Sequence, residues 1–254
     1  MAGEKEWNSM RGLLNLGEWD EGALGKIIEK AMQFRQTGRK IEFISRQFLG
    51  TGYREGTLVG TDETPEVLVI DFSGMDCFTY IDYVEALRLS HSLSEVAGNL
   101  MQVRYRSAIV SFSHRNHFFS DWSVYCGERV EDVTRQVGGA RACSSEKILN
   151  RREDGTPYLP GIPQVVRTIH YIPAAFVNQF VLSQCRTGDY LGIYAEDRGL
   201  DVTHVGIFIR RRGEILLRHA SSLYRYRAVM DQDLRTYMAD KPGFVVLRPK
   251  NQKG

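Results

Sequence analysis

Apolar residues recur at helical spacing in the first third of the chain and form short continuous runs in the last third. Residues 18–36, 40–49 and 76–90 place apolar side chains three or four positions apart, which predicts three helices. A glycine-rich loop around Tyr53 and an apolar run of strand length over residues 66–72 lie between the second and third helices. The first third therefore predicts a mainly helical region.

The last third predicts consecutive strands. Its apolar runs are separated by glycines or charged turns and cover residues 188–194, 202–209, 214–220 and 243–248. Arg210, Arg211 and Arg212 with Gly213 lie between the second and third runs and are typical of a solvated hairpin turn. Because helices come first and strands follow, the pattern predicts an α+β domain with an antiparallel sheet.

The middle of the chain gives a mixed pattern. Residues 101–113 predict a helix end and a strand, and residues 114–122 are polar, aromatic and irregular. Three prolines predict a loop-rich stretch over residues 146–164, and residues 172–181 predict a short helix after a proline.

Composition limits the classes of function. Hydrophobic residues make up 43% of 254 residues, which suffices for a buried core, and 33 basic against 31 acidic residues give a net charge of only +2. That balance argues against a nucleic-acid partner. No apolar run reaches the length of a membrane span, and the polar start lacks an apolar signal core. We therefore expect a cytoplasmic protein, or a periplasmic or cell-envelope one if an export signal has been removed.

Cys77 is the candidate nucleophile among four cysteines, none of which forms a CxxC pair typical of zinc or thioredoxin sites. It follows the loop residues 73–76 and opens the third predicted helix. The positive end of a helix lowers the pKa of a thiol and so favours the reactive thiolate. A buried cysteine that packs as a small apolar side chain is the alternative, and position alone leaves both open.

Two histidines on adjacent predicted strands are the candidate bases. Strand alternation places His204 on one face with Gly206 and Phe208, and His219 ends the next strand. If the two strands form a hairpin, His219 can hold the His204 ring in one tautomer, as the third member of a catalytic triad does. A structural or surface role for each histidine stays open at this point.

Five motifs occur in an order that resembles the NlpC-type cell-wall cysteine peptidases and amidases. They are GTGYREGTL, MDCFTYIDYV, TGDYLGIY, THVGIFI and LRHASS. The segment RNHFFSDW is similar to the N-acetylmuramoyl-L-alanine amidase-like branch, and the resemblance covers roughly residues 40–248. It implies a papain-like NlpC-type α+β fold in which a helix-borne cysteine packs on an antiparallel sheet that carries the histidines. The expected organisation is one catalytic domain over residues 1–254, with an N-terminal helical extension over 1–39 and a branch-specific insertion over 100–180.

The resemblance also implies roles for single residues. Cys77 matches the nucleophile, His204 the base, His219 the residue that orients the base, and Tyr53 the loop tyrosine beside the nucleophile.

Three further residues are expected near the substrate. Asp76 matches the acidic residue before the nucleophile, with a simple helix cap as the equal alternative, and Asn116 and His117 belong to the branch-specific segment. Phe78 and Thr79 follow the cysteine where many relatives have serine and glycine, which favours the amidase-like branch over typical endopeptidases.

The implied function is hydrolysis of the N-acetylmuramoyl-L-alanine bond in peptidoglycan fragments, without a cofactor or metal. Cleavage between γ-D-glutamyl and diaminopimelate, and a non-catalytic module that binds wall peptide, stay open as alternatives. A metalloenzyme that uses His114, His117, His204 and His219 is the third, although no carboxylate lies at ligand spacing from the first two.

Overall fold

A computed structural model describes residues 13–251 of the chain. The polar start of the sequence and the first part of the predicted extension over residues 1–39 lie outside the described residues. The described part of the extension contains a helix, as predicted. No helix within the described range is long and apolar enough to cross a membrane.

The chain divides into two compact units. Within the described residues, unit 1 contains 13–115 and 219–230, and unit 2 contains 116–218 and 231–251. The chain therefore passes from unit 2 to unit 1 after Arg218 and returns after Met230. The expectation of one catalytic domain, with an insertion over 100–180, stays a prediction.

Unit 1 contains four helices and four short strands in its described residues. The helices are α1 (Glu21–Met32), α2 (Thr37–Arg46), α3 (Cys77–Leu89) and α4 (Glu95–Arg104). The strands form two parallel pairs, β1 (Leu13–Asn15) with β3 (Val69–Asp71) and β2 (Gly52–Tyr53) with β4 (Gly74–Met75). The three helices predicted from apolar spacing are confirmed as α1, α2 and α3.

Helix α3 is buried on almost all sides, including its charged residues. Arg104 of α4 bonds Asp82 at 2.7 Å, and both side chains are buried. Burial raises the pKa of Asp82 to about 6, although the charge of Arg104 opposes the rise. Arg88 bonds Glu85 at 2.6 Å within the same helix. Each of these buried charges is therefore paired with a charge of opposite sign, as low-dielectric surroundings require.

Aromatic rings pack around α3 in unit 1. Consecutive ring contacts connect Trp19, Phe48, Phe72, Tyr80 and Tyr83, with centroids 4.8–6.0 Å apart. Such tilted and edge-on contacts stabilise beyond the burial of area alone. They fix the helix that begins at the candidate nucleophile.

Eight strands form one sheet, most of which belongs to unit 2. Its strands are β5 (Val130–Asp132), β6 (Cys143–Leu149), β7 (Val165–Pro173), β8 (Tyr190–Tyr194), β9 (Val202–Arg211), β10 (Glu214–Ala220), β11 (Val229–Asp233) and β12 (Gly243–Pro249). The strand order is β11-β10-β9-β8-β12-β7-β6, and β5 pairs with β12. The pairs β9–β10, β8–β9, β12–β8, β12–β7, β12–β5 and β6–β7 are antiparallel. The predicted α+β class with an antiparallel sheet is confirmed, and the papain-like architecture stays a prediction.

Short helices cover the apolar core of unit 2. They are α5 (Asp121–Tyr125), α6 (Thr134–Gly138), α7 (Gln179–Gln184) and α8 (Leu234–Met238). The core joins residues of α6, α7 and α8 to the inner side chains of β8, β9, β10 and β12, among them Ile193, Phe208 and Val246. Gly192 is required on β8, because a Cβ there would lie 2.6 Å from the ring of Phe119.

The hairpin between β9 and β10 forms as predicted. Glu214 pairs with Arg211, and the turn consists of Arg212 and Gly213, both at positive φ. Glycine adopts this conformation at little cost, whereas a non-glycine residue there is uncommon. Arg212 therefore lies in the hairpin turn, and Arg210 and Arg211 are the last residues of β9.

In the middle of the chain, the structure differs from three of the predicted elements. The predicted strand in residues 101–113 is wrong, because α4 continues to Arg104 and short 3-10 turns follow. The loop-rich stretch begins instead as strand β6, which pairs along its whole length with β7.

The predicted helix over residues 172–181 is wrong in its first half. Ile172 and Pro173 are the last two residues of β7, where Ile172 pairs with Phe244, and the helix begins only after Asn178, whose side chain accepts a bond from Val181 N–H. Pairing with β12 outweighs the local proline signal.

Candidate functional site

Cys77 is the first residue of α3, and Asp76 is its N-cap. The Asp76 carboxylate accepts the backbone N–H groups of Phe78 at 3.0 Å and Thr79 at 2.7 Å. The Thr79 hydroxyl in turn accepts the N–H of Asp76 at 3.0 Å, which completes a capping box. The local sequence therefore fixes the helix start, and Cys77 lies in its first turn, where the partial positive charge of the helix favours a thiolate.

The other three cysteines lie in different surroundings. All four are free thiols, and Cys77 is half-buried, Cys143 exposed, and Cys126 and Cys185 buried. Burial raises the pKa of Cys185 to about 12, which keeps it protonated. Cys77 alone among the four combines access to solvent with a position at a helix start.

Tyr53 lies beside the start of α3 within unit 1. Its strand β2 pairs with β4, so that Tyr53 lies opposite Met75, two residues before Cys77. The pKa of Tyr53 is raised, first because burial withdraws the phenol from water and then because the negative charges of Cys77 and Asp76 lie near it. Its hydroxyl is therefore a protonated donor throughout the neutral range.

A second strand-like segment borders Tyr53 on its other side. The backbone N–H of Tyr53 donates to the carbonyl of Arg227 at 2.8 Å, and the Arg227 guanidinium lies 5.0 Å from the centre of the Tyr53 ring. Ala228 bridges Gly52 and accepts the N–H of Ser221 at 2.9 Å. Arg227, which follows His219 in the chain, is thus hydrogen-bonded to Tyr53, and Ala228 is paired with Gly52.

His219 and His204 lie in different units. His219 is buried near the end of β10, in the part of that strand that belongs to unit 1. His204 is half-buried on β9 of unit 2, opposite Ile193 of β8 and 6.1 Å from the ring centre of Tyr237. Unit 1 therefore holds Cys77 with Asp76, Tyr53 and His219, and the pairing of His204 with either Cys77 or His219 stays a prediction.

The loop that leads into β9 is fixed by a buried lysine. Lys147 donates to the carbonyls of Ala195 at 2.6 Å, Glu196 at 3.3 Å and Asp197 at 2.7 Å. Its ammonium group also lies 4.5 Å from the ring centre of Tyr194. These contacts hold the connection between β8 and β9, and with it the start of the strand that carries His204.

Asn116 and His117 lie in unit 2. Asn116 is buried, and its amide donates to the sulfur of Cys126 at 3.7 Å, whereas His117 is half-buried. Their predicted place in the substrate cleft stays a prediction. Within residues 13–251, no group of three or more His, Cys, Asp or Glu side chains is arranged to hold a metal ion.

Sequence reasoning missed three residues that shape these surroundings: Thr79, Lys147 and Arg227. Thr79 had a signal, because a hydroxyl three residues after an Asp cap is a capping pattern. Lys147 and Arg227 gave none, since their contacts are with residues distant in the chain.

The profile of the AmiA-like family, described as N-acetylmuramoyl-L-alanine amidase-like, matches residues 43–244. No curated protein matches the chain.

Several solved structures share the fold. Protein LPG0564 from Legionella pneumophila superposes with a TM-score of 0.76 at 22% identity, covering 90% of this chain and 94% of that one. At that identity the likeness speaks for the fold alone. An N-acetylmuramoyl-L-alanine amidase from Bacteroides uniformis gives a TM-score of 0.72 at 27% identity, covering 85% of this chain and 99% of its own. A chain from Bacteroides fragilis that carries a xylanase name gives 0.66 at 26% identity, covering 81% and 98%.

Proposed function

Because this chain belongs to the N-acetylmuramoyl-L-alanine amidase-like family, we propose that it hydrolyses the bond between N-acetylmuramic acid and L-alanine in peptidoglycan fragments. The observation that carries the proposal is the position of Cys77 as the first residue of α3, beside Tyr53. The amidase name of the Bacteroides uniformis relative supports the same bond. We further propose that the fold is of the papain-like NlpC type, with His204 as base.

The first step is the formation of an activated nucleophile. His204 accepts the proton of the Cys77 thiol and gives a thiolate–imidazolium pair, which His219 stabilises by holding the imidazole in one orientation. The thiolate attacks the lactyl carbonyl carbon, and the carbonyl oxygen takes the negative charge.

The oxyanion is stabilised by donors near the start of α3. The backbone N–H of Cys77 and the phenol of Tyr53 fill this role. One such donor lowers the activation barrier by on the order of 3 kcal/mol. The raised pKa of Tyr53 supports it, because a phenol that stays protonated can donate.

Two proton transfers complete the cycle. The His204 imidazolium protonates the amine of L-alanine as the C–N bond breaks, which leaves an acyl-enzyme on Cys77. Water, deprotonated by His204, then hydrolyses the thioester and restores the thiol. No step requires a cofactor.

Mass spectrometry of defined muropeptides tests the proposal. The wild-type protein should release the intact peptide and the free N-acetylmuramic acid form, and Cys77→Ala should lower the rate by roughly 10⁴-fold or more with an unchanged fold. Cys143→Ser, which removes an exposed thiol, is the matched control and should retain full activity. Products cut between D-glutamate and diaminopimelate would assign the endopeptidase activity instead. Binding without any product would assign the non-catalytic module, and release of sugar from xylan would assign a glycosidase.

Alkylation rates give a second readout of Cys77. Cys143 is the more exposed thiol, so exposure alone predicts faster reaction of Cys143 with iodoacetamide. We expect Cys77 to react faster, because only thiolates are alkylated and the helix start favours that form. Faster labelling of Cys143 at neutral pH would contradict an activated Cys77.

A further inference from the structure

The loop between β10 and β11 presents arginines and aromatic rings beside Tyr53. Residues 222–227 are all exposed, and Tyr224 is 95% exposed. The loop is nevertheless closed by its own backbone, since the N–H groups of Tyr226 and Arg227 donate to the carbonyl of Leu223 at 2.8 and 2.9 Å. Its exposed side chains are therefore displayed from a fixed turn.

Arg227 is the residue of this loop that reaches the candidate site. Its backbone has φ of 39°, a conformation uncommon for a residue with a side chain and one that costs free energy. In this conformation its carbonyl accepts the N–H of Tyr53, and its guanidinium lies over the Tyr53 ring. The strained backbone thus places a cation next to the tyrosine that flanks Cys77.

Apart from its contact with the Tyr53 ring, no partner for the charge of Arg227 is found among the described residues. Among residues 13–251 it makes no ion pair, whereas Arg54, the residue after Tyr53, bonds Asp71 at 3.1 Å. Arg225 lies instead over the ring of Tyr226, at 4.7 Å. A guanidinium with a fixed backbone and no internal carboxylate is suited to bind a carboxylate of a ligand through two parallel hydrogen bonds.

The proposed substrate offers such a group close to the bond that is cut. In a stem peptide, D-glutamate is joined through its γ-carboxyl, so that its α-carboxylate is free. That carboxylate lies on the second residue after the cut bond, within about 7 Å of the leaving nitrogen by the reach of an extended chain. Resting on the proposed function, we propose that Arg227 binds the free α-carboxylate of the D-glutamyl residue and so determines specificity for an acidic stem peptide.

A comparison of two muropeptides tests this role. One carries the free D-glutamyl carboxylate and the other carries the carboxamide, D-isoglutamine, at the same position. Arg227→Gln should lower kcat/KM roughly 10- to 100-fold on the acid, mainly through KM, and leave the amide unchanged. Arg227→Lys should recover part of the loss, because it keeps the charge but not the two-pronged geometry.

Arg212→Gln is the matched control. Arg212 is also exposed and also has positive φ, but it lies at the β9–β10 hairpin turn, so its change should affect neither substrate. Equal loss on acid and amide would overturn the proposal and would assign Arg227 to the support of Tyr53. No change on either substrate would also overturn it.

Binding separates this proposal from the proposed function. Isothermal calorimetry with the Cys77→Ala protein and the tripeptide L-Ala-γ-D-Glu-diaminopimelate requires no turnover. Weaker binding in Cys77→Ala/Arg227→Gln than in Cys77→Ala/Arg212→Gln supports the inference, even if the wild-type protein leaves the amide bond intact. Equal affinity in the two double variants overturns it, even if the amidase activity is confirmed.

Discussion

The helix that carries Cys77 and the strand that carries His204 are both buried, but different chemistry holds them in place. Helix α3 buries Asp82, Glu85 and Arg88 in ion pairs, and its first turn is fixed by a capping box. The centre of β9 buries apolar side chains on both faces, with Val205 and Phe208 as examples. The candidate nucleophile thus lies on an element that buries ion pairs beside its apolar side chains, and the candidate base lies on a strand whose buried centre is apolar.

The difference concerns how precisely each element is located. Hydrogen-bonded ion pairs have strict geometry, so they fix a helix in one register but are costly to break. Apolar contacts are less directional and tolerate substitutions that conserve volume. We therefore expect the α3 region to respond sharply to single changes, and the β9 region to respond mainly where its histidine is changed.

The largest effect should come from His204. His204→Ala should be nearly inactive, because it removes the proposed proton carrier, while the stability of the apolar strand changes little. His219→Asn or His219→Gln should keep part of the activity, since the amide oxygen can still accept the His204 ring N–H, and His219→Ala should be worse than either. Steady-state kinetics on one muropeptide measures all four. Wild-type activity in His219→Ala would remove His219 from the site.

The next effect concerns stability in the α3 region. Arg104→Met should lower the free energy of unfolding by about 3–5 kcal/mol, because Asp82 is left buried without its partner. Asp82→Leu/Arg104→Met should restore or exceed wild-type stability, since both charges are gone. Ile207→Leu on β9, which conserves volume, should cost less than about 1.5 kcal/mol.

Urea unfolding of these variants decides whether the two regions differ. A mild loss in Arg104→Met, together with no recovery in the double variant, would contradict the contrast between polar and apolar support.

The smallest effect should come from the capping box. Thr79→Val keeps the shape of a buried side chain but removes the hydroxyl that bonds Asp76, and should cost about 1 kcal/mol. Thr79→Ser should keep most of the stability. Slower alkylation of Cys77 in Thr79→Val would show in addition that the cap positions the nucleophile. Identical melting of Val and Ser variants would show that the cap contributes nothing.

The sequence predicted elements whose pattern is local. Helix α3 begins at Cys77 as expected, and the β9–β10 hairpin turns where the arginines indicated, because both signals lie within a few residues. The α+β class followed from the order of these elements. The buried charges of α3 were not predictable in the same way, since Asp82 is satisfied by a residue on another helix.

Other features could not be predicted, either because the residues are mostly polar or because the contacting residues lie far apart in the chain. Strand β6 has mostly polar residues on an edge, so its alternation gave no apolar signal, and the prolines after it indicated a loop. Arg227 meets Tyr53 only because the chain returns to unit 1 after Arg218. Contacts of this kind depend on the tertiary fold and not on any pattern within a window.

Asp82 also links folding to the uptake of a proton. Its pKa rises from 3.8 to about 6 on burial, so the folded protein holds this proton more tightly than the unfolded chain does. The resulting contribution to the free energy of unfolding is full below pH 4 and is lost as the pH rises through 6. Mild acid should therefore stabilise helix α3 through Asp82. The double variant Asp82→Leu/Arg104→Met should lack this pH dependence when its unfolding is measured from pH 4 to 7.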